Sequence, residues 1–319
     1  MQRVRKTCVF GPVPSRRLGR SLGIDLVPFK TCTYDCIYCQ LGRTTNRTVE
    51  RRRYIAAADV MRRVERALKT AGRVDYLTLS GSGEPTLHAG AGALVTALKR
   101  EFGKPVAVLT NGALLGNPAV ADALLPADVV MPTLAADSET TYQCVHRPHP
   151  SLHFDTFVKG LQDFAAAYHN HLWLEVFLLD GITALEQTVA SMKRVVDTLR
   201  PERVQVNTAT RPPVEDFAFA APDRRLASLA RLLGPTAEVI TEYRHATPRR
   251  AGARKDATQE ILTLLRRRPC THRDVADALS LHRVEALKLL DGLAEQGRIA
   301  VQQRDGAEFY TTASRRRAE

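Results

Sequence analysis

Three cysteines fall within eight residues, Cys32-Thr33-Tyr34-Asp35-Cys36-Ile37-Tyr38-Cys39, spaced Cys-x3-Cys-x2-Cys. Thiolates are soft ligands and select zinc, copper(I) or iron–sulfur clusters. Structural zinc takes four closed ligands, usually from two separate pairs. No second Cys-x2-Cys exists here, and the other cysteines, Cys8, Cys144 and Cys270, stand alone. A zinc knuckle would have to recruit a distant fourth ligand, with Cys8 the best candidate. Three thiolates on a cluster of four irons instead leave one iron without a protein ligand. A substrate or cofactor can bind that open iron. No apolar signal block follows the basic Met1-Gln2-Arg3-Val4-Arg5-Lys6, so the six cysteines read as metal-binding or free thiols, not disulfides.

This spacing, with Tyr38 just before the last cysteine, resembles the radical SAM superfamily. The resemblance implies a [4Fe–4S] cluster on Cys32, Cys36 and Cys39, with S-adenosylmethionine on the open iron. It implies reductive cleavage of that cofactor to methionine and a 5′-deoxyadenosyl radical, fed by an electron donor such as flavodoxin or ferredoxin. Gly81-Ser82-Gly83-Glu84-Pro85 resembles the family's glycine–glycine–glutamate motif, with Ser82 at the first glycine position. Small residues there let backbone carbonyls approach the methionine ammonium. Tyr38 resembles the aromatic residue whose main chain meets the adenine. Thr110 and Asn111 are candidates for the methionine carboxylate or the ribose hydroxyls; the alternative is a plain Asn-Gly turn. Asp137, Ser138, Glu175 and Asn207 are further ligand candidates. A lone Glu175 within Trp173-Leu174-Glu175-Val176-Phe177 is costly to bury unpaired. It therefore lies at the mouth of the fold or in a salt bridge. His146, Arg147, His149 and His153 read as a substrate-contacting loop or, less simply, a metal site. Cys144 is a candidate donor near the radical.

These residues need a scaffold that gathers strand ends. Residues 11–20 are rich in glycine and proline and predict a loop. Strands are predicted over 21–27, 74–79, 106–109, 128–134, 172–179 and 204–207. Helices are predicted over 57–69, 94–102, 119–125, from Ser138, over 154–168 and over 184–199, where apolar residues recur at helical spacing. Six alternating units argue for parallel βαβ architecture. The resemblance implies a partial (β/α)6 radical SAM barrel over 1–245, with function at the carboxyl ends of the strands. A polar linker, 246–255, follows. Helices over 257–267, 275–279 and 284–295, the last capped by Ser280, precede two strands flanking Asp305-Gly306. That order over 256–313 resembles a winged helix-turn-helix domain. The basic tail 314–319 is expected to be disordered.

The fold class is thus α/β, and hydrophobic residues at 44% against 25% charged exclude a disordered chain. No apolar run is long enough to span a bilayer, and the expected location is the cytoplasm. The net charge is +12, and residues 1–53 carry +9 of it: twelve Lys and Arg against Asp25, Asp35 and Glu50. This excess flanks the cysteine loop, with Arg16, Arg17, Arg20 and Lys30 before it and Arg43, Arg47, Arg51, Arg52 and Arg53 after it. Concentrated positive potential attracts polyanions. Arg16, Arg17, Arg51, Arg52 and Arg53 are therefore the substrate candidates. The opening 11–25 and the cysteine loop also resemble Fe–S oxidoreductases grouped with wybutosine-synthesis-type tRNA-modifying enzymes. RNA, probed through tRNA, is the expected substrate. The alternatives are a peptide or protein docked by the winged helix, and a redox-sensing DNA-binding regulator that needs no S-adenosylmethionine.

Overall fold

The computed structural model describes residues 8–240, 257–279, 281–304 and 306–313. Ser280, Asp305, the linker 246–255 and the tail 314–319 lie outside the described residues. The first unit opens with β1 (Val9–Ser15), β2 (Gly19–Ile24), β3 (Thr31–Cys32), β4 (Asn46–Arg47) and α1 (Ala57–Thr70). Then come β5 (Tyr76–Leu79), α2 (Ala91–Phe102), β6 (Val106–Thr110), α3 (Pro118–Leu124), β7 (Val129–Leu134), α4 (Glu139–His146) and α5 (Phe154–Ala167). It continues with β8 (His171–Phe177), α6 (Glu186–Leu199), β9 (Arg203–Asn207), α7 (Asp223–Leu233) and β10 (Ala237–Val239). Eight of these strands form one sheet in the order β1-β2-β5-β6-β7-β8-β9-β10. Every neighbouring pair is parallel except β1 with β2. Parallel order brings the carboxyl ends of every strand but β1 to one edge, which is where the candidate ligands lie.

Period-two alternation sorts the strand side chains between two faces. Leu172, Leu174 and Val176 of β8 join Val204 and Val206 of β9 in the main core shared with the helices. Leu94, Leu98, Phe164, Val189 and Met192 supply the helix side. Burying each such side chain contributes about 1.5–3 kcal/mol. The opposite face carries Trp173, Glu175 and Phe177 from β8 and Gln205 and Asn207 from β9. Leu18, Ala107, Val129, Met131 and Trp173 form a separate apolar cluster there.

Residues 11–20 are not a loop. Val9–Ser15 forms β1 and pairs antiparallel with β2, with a register irregularity between Phe10 and Val13. Prolines at 12 and 14 survive because β1 is an edge strand, where a missing N–H costs no ladder bond. The consequence is topological. Ser15 pairs with Gly19 at the start of β2, so the turn carrying Arg16 and Arg17 lies at the amino ends of the parallel strands. The cysteine loop leaves the opposite end, after Ile24. Arg16 and Arg17 therefore do not flank the cysteine loop in space. Helix α7 and strand β10, which extend the sheet beyond Asn207, have no counterpart in the sequence expectations.

Arg17 reaches inward and pairs with Glu175, which also accepts from Thr133 Oγ1 at 2.8 Å and Asn207 Nδ2 at 2.9 Å. Burial alone would raise the Glu175 carboxyl, but the Arg17 guanidinium and these donors hold it below the usual carboxylate range. Glu175 therefore stabilises the fold above its unfolded pKa, and that contribution is lost as pH falls through the depressed value. Arg17→Met leaves a buried carboxylate without its cation, at an expected cost of about 3–5 kcal/mol. Burial then dominates and the pH dependence reverses. In urea titrations the deficit should be largest at neutral pH and shrink toward the carboxylate range. A deficit independent of pH would rule out the ion pair as its cause.

The second unit comprises 210–213 and 242–319. Its described part holds α8 (Ala257–Leu265), α9 (His272–Leu279), α10 (Arg283–Glu295), β11 (Ile299–Arg304) and β12 (Ala307–Thr312). β11 and β12 form an antiparallel hairpin, and Ile261, Leu265, Val275, Leu290, Ile299 and Tyr310 lie in its own core. The N-cap of α10 is His282, whose side chain accepts from the Val284 N–H. Among the described residues, no helix is long and apolar enough to cross a membrane.

Candidate cluster and cofactor site

Residues 25–48 cross the carboxyl edge of the sheet and hold all three clustered cysteines, each partly exposed. The loop is fastened at both ends. Lys30 N–H donates to the Ser82 carbonyl at 2.7 Å, and Glu84 N–H donates to the Thr31 carbonyl at 3.1 Å. On the other side Asp35 N–H donates to the His146 carbonyl at 3.0 Å and Ile37 N–H to the Val145 carbonyl at 3.0 Å. His149 N–H adds a bond of 2.9 Å to the Thr33 carbonyl. The carboxyl end of α4 thus straps the loop.

The 81–84 turn fits against this loop without room to spare. A Cβ on Gly83 would meet the Thr31 carbonyl oxygen at 1.9 Å. Ser82 gives its N–H and hydroxyl to the buried Asp25 carboxylate. Glu84, also buried, accepts from Thr86 N–H at 3.0 Å, Thr86 Oγ1 at 2.6 Å, Thr110 Oγ1 at 2.6 Å and Asn111 N–H at 2.8 Å. Burial raises its carboxyl pKa, and these four donors oppose the rise. Its carboxylate is fully used by the chain's own donors, so it ties the turn to the end of β6. Asn111 completes the connection, donating to Thr33 Oγ1 at 2.8 Å and to Cys32 Sγ at 3.5 Å. Glu84→Ala orphans several donors, each costing about 1–3 kcal/mol. It should lower the apo-protein's melting temperature, with Glu84→Gln intermediate. Equal stability of all three by differential scanning calorimetry would remove Glu84 from this scaffold.

Tyr38 stacks on Phe177, ring centroids 4.0 Å apart. Asn207 lies opposite Phe177 in the β8–β9 register, and its buried Oδ1 has no partner among the described residues. Cys32, Cys36, Cys39, Tyr38, Ser82, Gly83, Glu84, Thr110 and Asn111 thus converge at one edge. Asp137 and Ser138 instead bond Thr141 and cap α4. Of these clustered histidines, His146 meets the cysteine loop through its ring, with Nδ1 3.3 Å from Cys36 Sγ. Burial pushes its pKa down to about 3, so the ring is neutral. His149 bonds Ser151, and His153 faces Glu139. Cys144 is exposed on α4, while Cys8 and Cys270 are buried in the cores of the two units. Arg51 donates to the Thr86 carbonyl at 3.1 Å, Arg52 pairs with Glu50, and Arg53 is exposed. Arg43 and Arg147 both pair with Glu215.

Sequence reasoning did not single out Asp25, offered His146 only for a substrate loop or metal site, and counted Lys30 only within the basic excess that flanks the cysteine loop. Asp25 follows Ile24, whose parallel register with Leu79 sets it beside the 81–84 turn, a neighbour invisible without the sheet order.

The donor set suits a cluster. Among the described residues, no three His, Cys, Asp or Glu side chains converge on a single-ion site. A zinc site needs that convergence, whereas cluster thiolates sit on separate irons. Burial pushes the Cys32 thiol up to about 12 and raises Cys36, so holding them as thiolates requires a compensating positive centre.

A model of the Radical SAM superfamily matches residues 26–194, more than half of the chain. The chain belongs to the radical SAM superfamily. Its fold is that of the superfamily, α/β with a mostly parallel central sheet, and its cofactors are a [4Fe–4S] cluster and S-adenosylmethionine. Radical SAM proteins are enzymes and require an electron donor. This chain is 34% identical, over 95% of its length, to a protein of Brachyspira hyodysenteriae named GTPase Obg, of which it spans 45%. This sequence contains no Gly-x4-Gly-Lys-Ser/Thr stretch. It is 35% identical to a UPF0026 protein of Synechocystis over 64% of this chain and 76% of the other. A UPF0026 protein of Methanocaldococcus jannaschii is 29% identical over 95% of both. A radical SAM methyltransferase from Sphaerobacter thermophilus shares the fold with TM-score 0.54 at 16% identity, covering 69% of this chain and 65% of that one.

Proposed function

We propose that this radical SAM protein modifies an RNA such as tRNA, and that Cys32, Cys36 and Cys39 ligate its cluster. The observation that carries the cofactor assignment is the joining of three segments, the cysteine loop, 81–84 and 110–111, by Glu84, Gly83 and Asn111. When bound, the two cofactors supply reductive cleavage of S-adenosylmethionine to methionine and a 5′-deoxyadenosyl radical. The chain's own residues shape the pocket for it. Gly83 lets the turn close on the cysteine loop, Glu84 and Asp25 lock the turn, and Tyr38 on Phe177 offers a wall for the adenine. Asn207, with its open carbonyl oxygen, faces the interior as a substrate or ribose contact. We read the sheet as a partial (β/α)6 barrel over 1–245, α8–α10 with the β11–β12 hairpin as a winged helix domain, and the chain as a cytoplasmic relative of wybutosine-synthesis-type enzymes.

What supports RNA is the basic charge that follows the cysteine loop. With Arg16 and Arg17 at the far end of the strands, the interface narrows to 43–53, where Arg52 and Arg53 are exposed. Binding of a tRNA pool, followed by filter retention across a salt series, should weaken by about 0.7–0.9 log units per phosphate contact per decade of salt. Arg52→Ala/Arg53→Ala should flatten that slope by about one unit per lost contact. Arg17→Met should leave it unchanged. RNA binding that is undetectable at low salt, or indifferent to the arginines, hands the substrate to the peptide reading.

A further inference from the structure

Each of the three clustered sulfurs has a side-chain nitrogen within hydrogen-bond distance, and each comes from a different part of the chain. Asn111 Nδ2 lies 3.5 Å from Cys32 Sγ, His146 Nδ1 lies 3.3 Å from Cys36 Sγ, and Lys30 Nζ lies 3.1 Å from Cys39 Sγ. The first is an amide and the second an imidazole. The third is a cation, and its side chain is out of solvent: Lys30 is 3% exposed.

Two further features set Lys30 apart. Its backbone has φ 56°, a left-handed conformation that glycine adopts freely and lysine does not. That conformation is clamped from both sides, its N–H on the Ser82 carbonyl at 2.7 Å and its carbonyl accepting from Thr45 and Asn46 N–H at 3.1 Å each. A residue that costs more than glycine in its backbone, and more than any apolar residue in its burial, stands where its ammonium can reach a ligating sulfur.

We propose that Lys30 is a cation built into the cluster site to set the cluster's reduction potential, with the Asn111 amide and the His146 ring against the other two sulfurs. Three thiolates outweigh the positive charge of the iron–sulfide core, and one-electron reduction, fed by the external electron donor, adds one more negative charge. A fixed ammonium beside a thiolate stabilises the reduced form more than the oxidised form, so it makes the cluster easier to reduce. Hydrogen bonds and charge around cluster sulfurs are recognised levers on potential. The inference rests on Cys32, Cys36 and Cys39 being the ligands.

The test is an anaerobic redox titration of the reconstituted full-length protein, read by electron paramagnetic resonance, with iron content measured in parallel. Lys30→Met should lower the one-electron reduction equilibrium constant at least tenfold, a shift of about 59 mV to more negative potential. Lys30→Gln, which keeps an N–H but not the charge, should shift with it, and Lys30→Arg should stay near the parent. A Lys30→Met constant within twofold of the parent, or a Lys30→Gln variant that behaves as the parent, overturns the proposal. If the neutral variants hold no iron, cluster assembly in Lys30→Arg alone supports the cation, and loss in all three overturns it. If the parent itself assembles no cluster, or keeps one after Cys32, Cys36 and Cys39 are replaced, the ligand assignment fails instead.

Discussion

Replacing Cys32, Cys36 and Cys39 together by alanine is expected to remove all cluster iron and all 5′-deoxyadenosine release, while Cys8→Ala, Cys144→Ala and Cys270→Ala leave both intact. The contrast follows from position. The first three share one loop at the carboxyl edge of the sheet, each with a side-chain nitrogen within 3.5 Å of its sulfur. Cys8 and Cys270 are buried in separate hydrophobic cores, and Cys144 is exposed on α4. Cys8→Ala and Cys270→Ala should cost stability only through lost packing. The measurements are iron and sulfide content after anaerobic reconstitution, and chromatographic detection of 5′-deoxyadenosine with a strong reductant and S-adenosylmethionine. Tightly bound zinc without iron, or cluster retention in the triple variant, would overturn the site.

The second large effect belongs to Gly83→Val. A Cβ at this position meets the Thr31 carbonyl oxygen at 1.9 Å and Val27 Cγ2 at 2.9 Å. The first obstacle is backbone and is held by the Glu84 N–H, so it has little freedom to give way. Relief requires the turn and the cysteine loop to part. Thr31 adjoins Cys32, so the separation is passed to the first ligand. The expected outcome is a loss of more than a hundredfold in uncoupled cofactor cleavage, with destabilisation of about 3 kcal/mol, the upper end for overpacking. Ser82→Gly is the companion variant. It removes one hydroxyl bond to Asp25 and should retain cleavage, because the backbone path is unchanged. Wild-type cleavage in Gly83→Val, in a sample whose melting curve shows the clash, would place the methionine pocket elsewhere.

The α/β class and most of the elements were legible because their signals are local. Val129–Leu134 and Arg203–Asn207 read as strands from short apolar runs, and Ala57–Thr70 as a helix from spacing. β1 was not legible. Its glycine and prolines carry a loop signature, and only its place at the sheet edge makes a strand of them. β10 escaped because it is a three-residue edge strand, too short to carry a strand pattern.

The sequence by itself determined the chemistry on offer: three thiolates at cluster spacing, a small-residue turn one βα unit later, and an excess of basic charge in the first 53 residues. Ligand type and spacing are properties of a short segment, and they survive any fold that keeps the loop intact. Only the tertiary structure decided what each charged or polar group is used for. Parallel strand order sent Arg16 and Arg17 to the far edge and gave Arg17 to Glu175. It put Asp25 under Ser82 and closed four donors on Glu84. It also made Lys30, one of the basic residues flanking the cysteine loop in sequence, a buried cation on Cys39. Such assignments depend on partners 2 to 158 positions away in the chain, most of them far along it, and hydrogen bonds and ion pairs act over a few ångströms of space, not along the sequence.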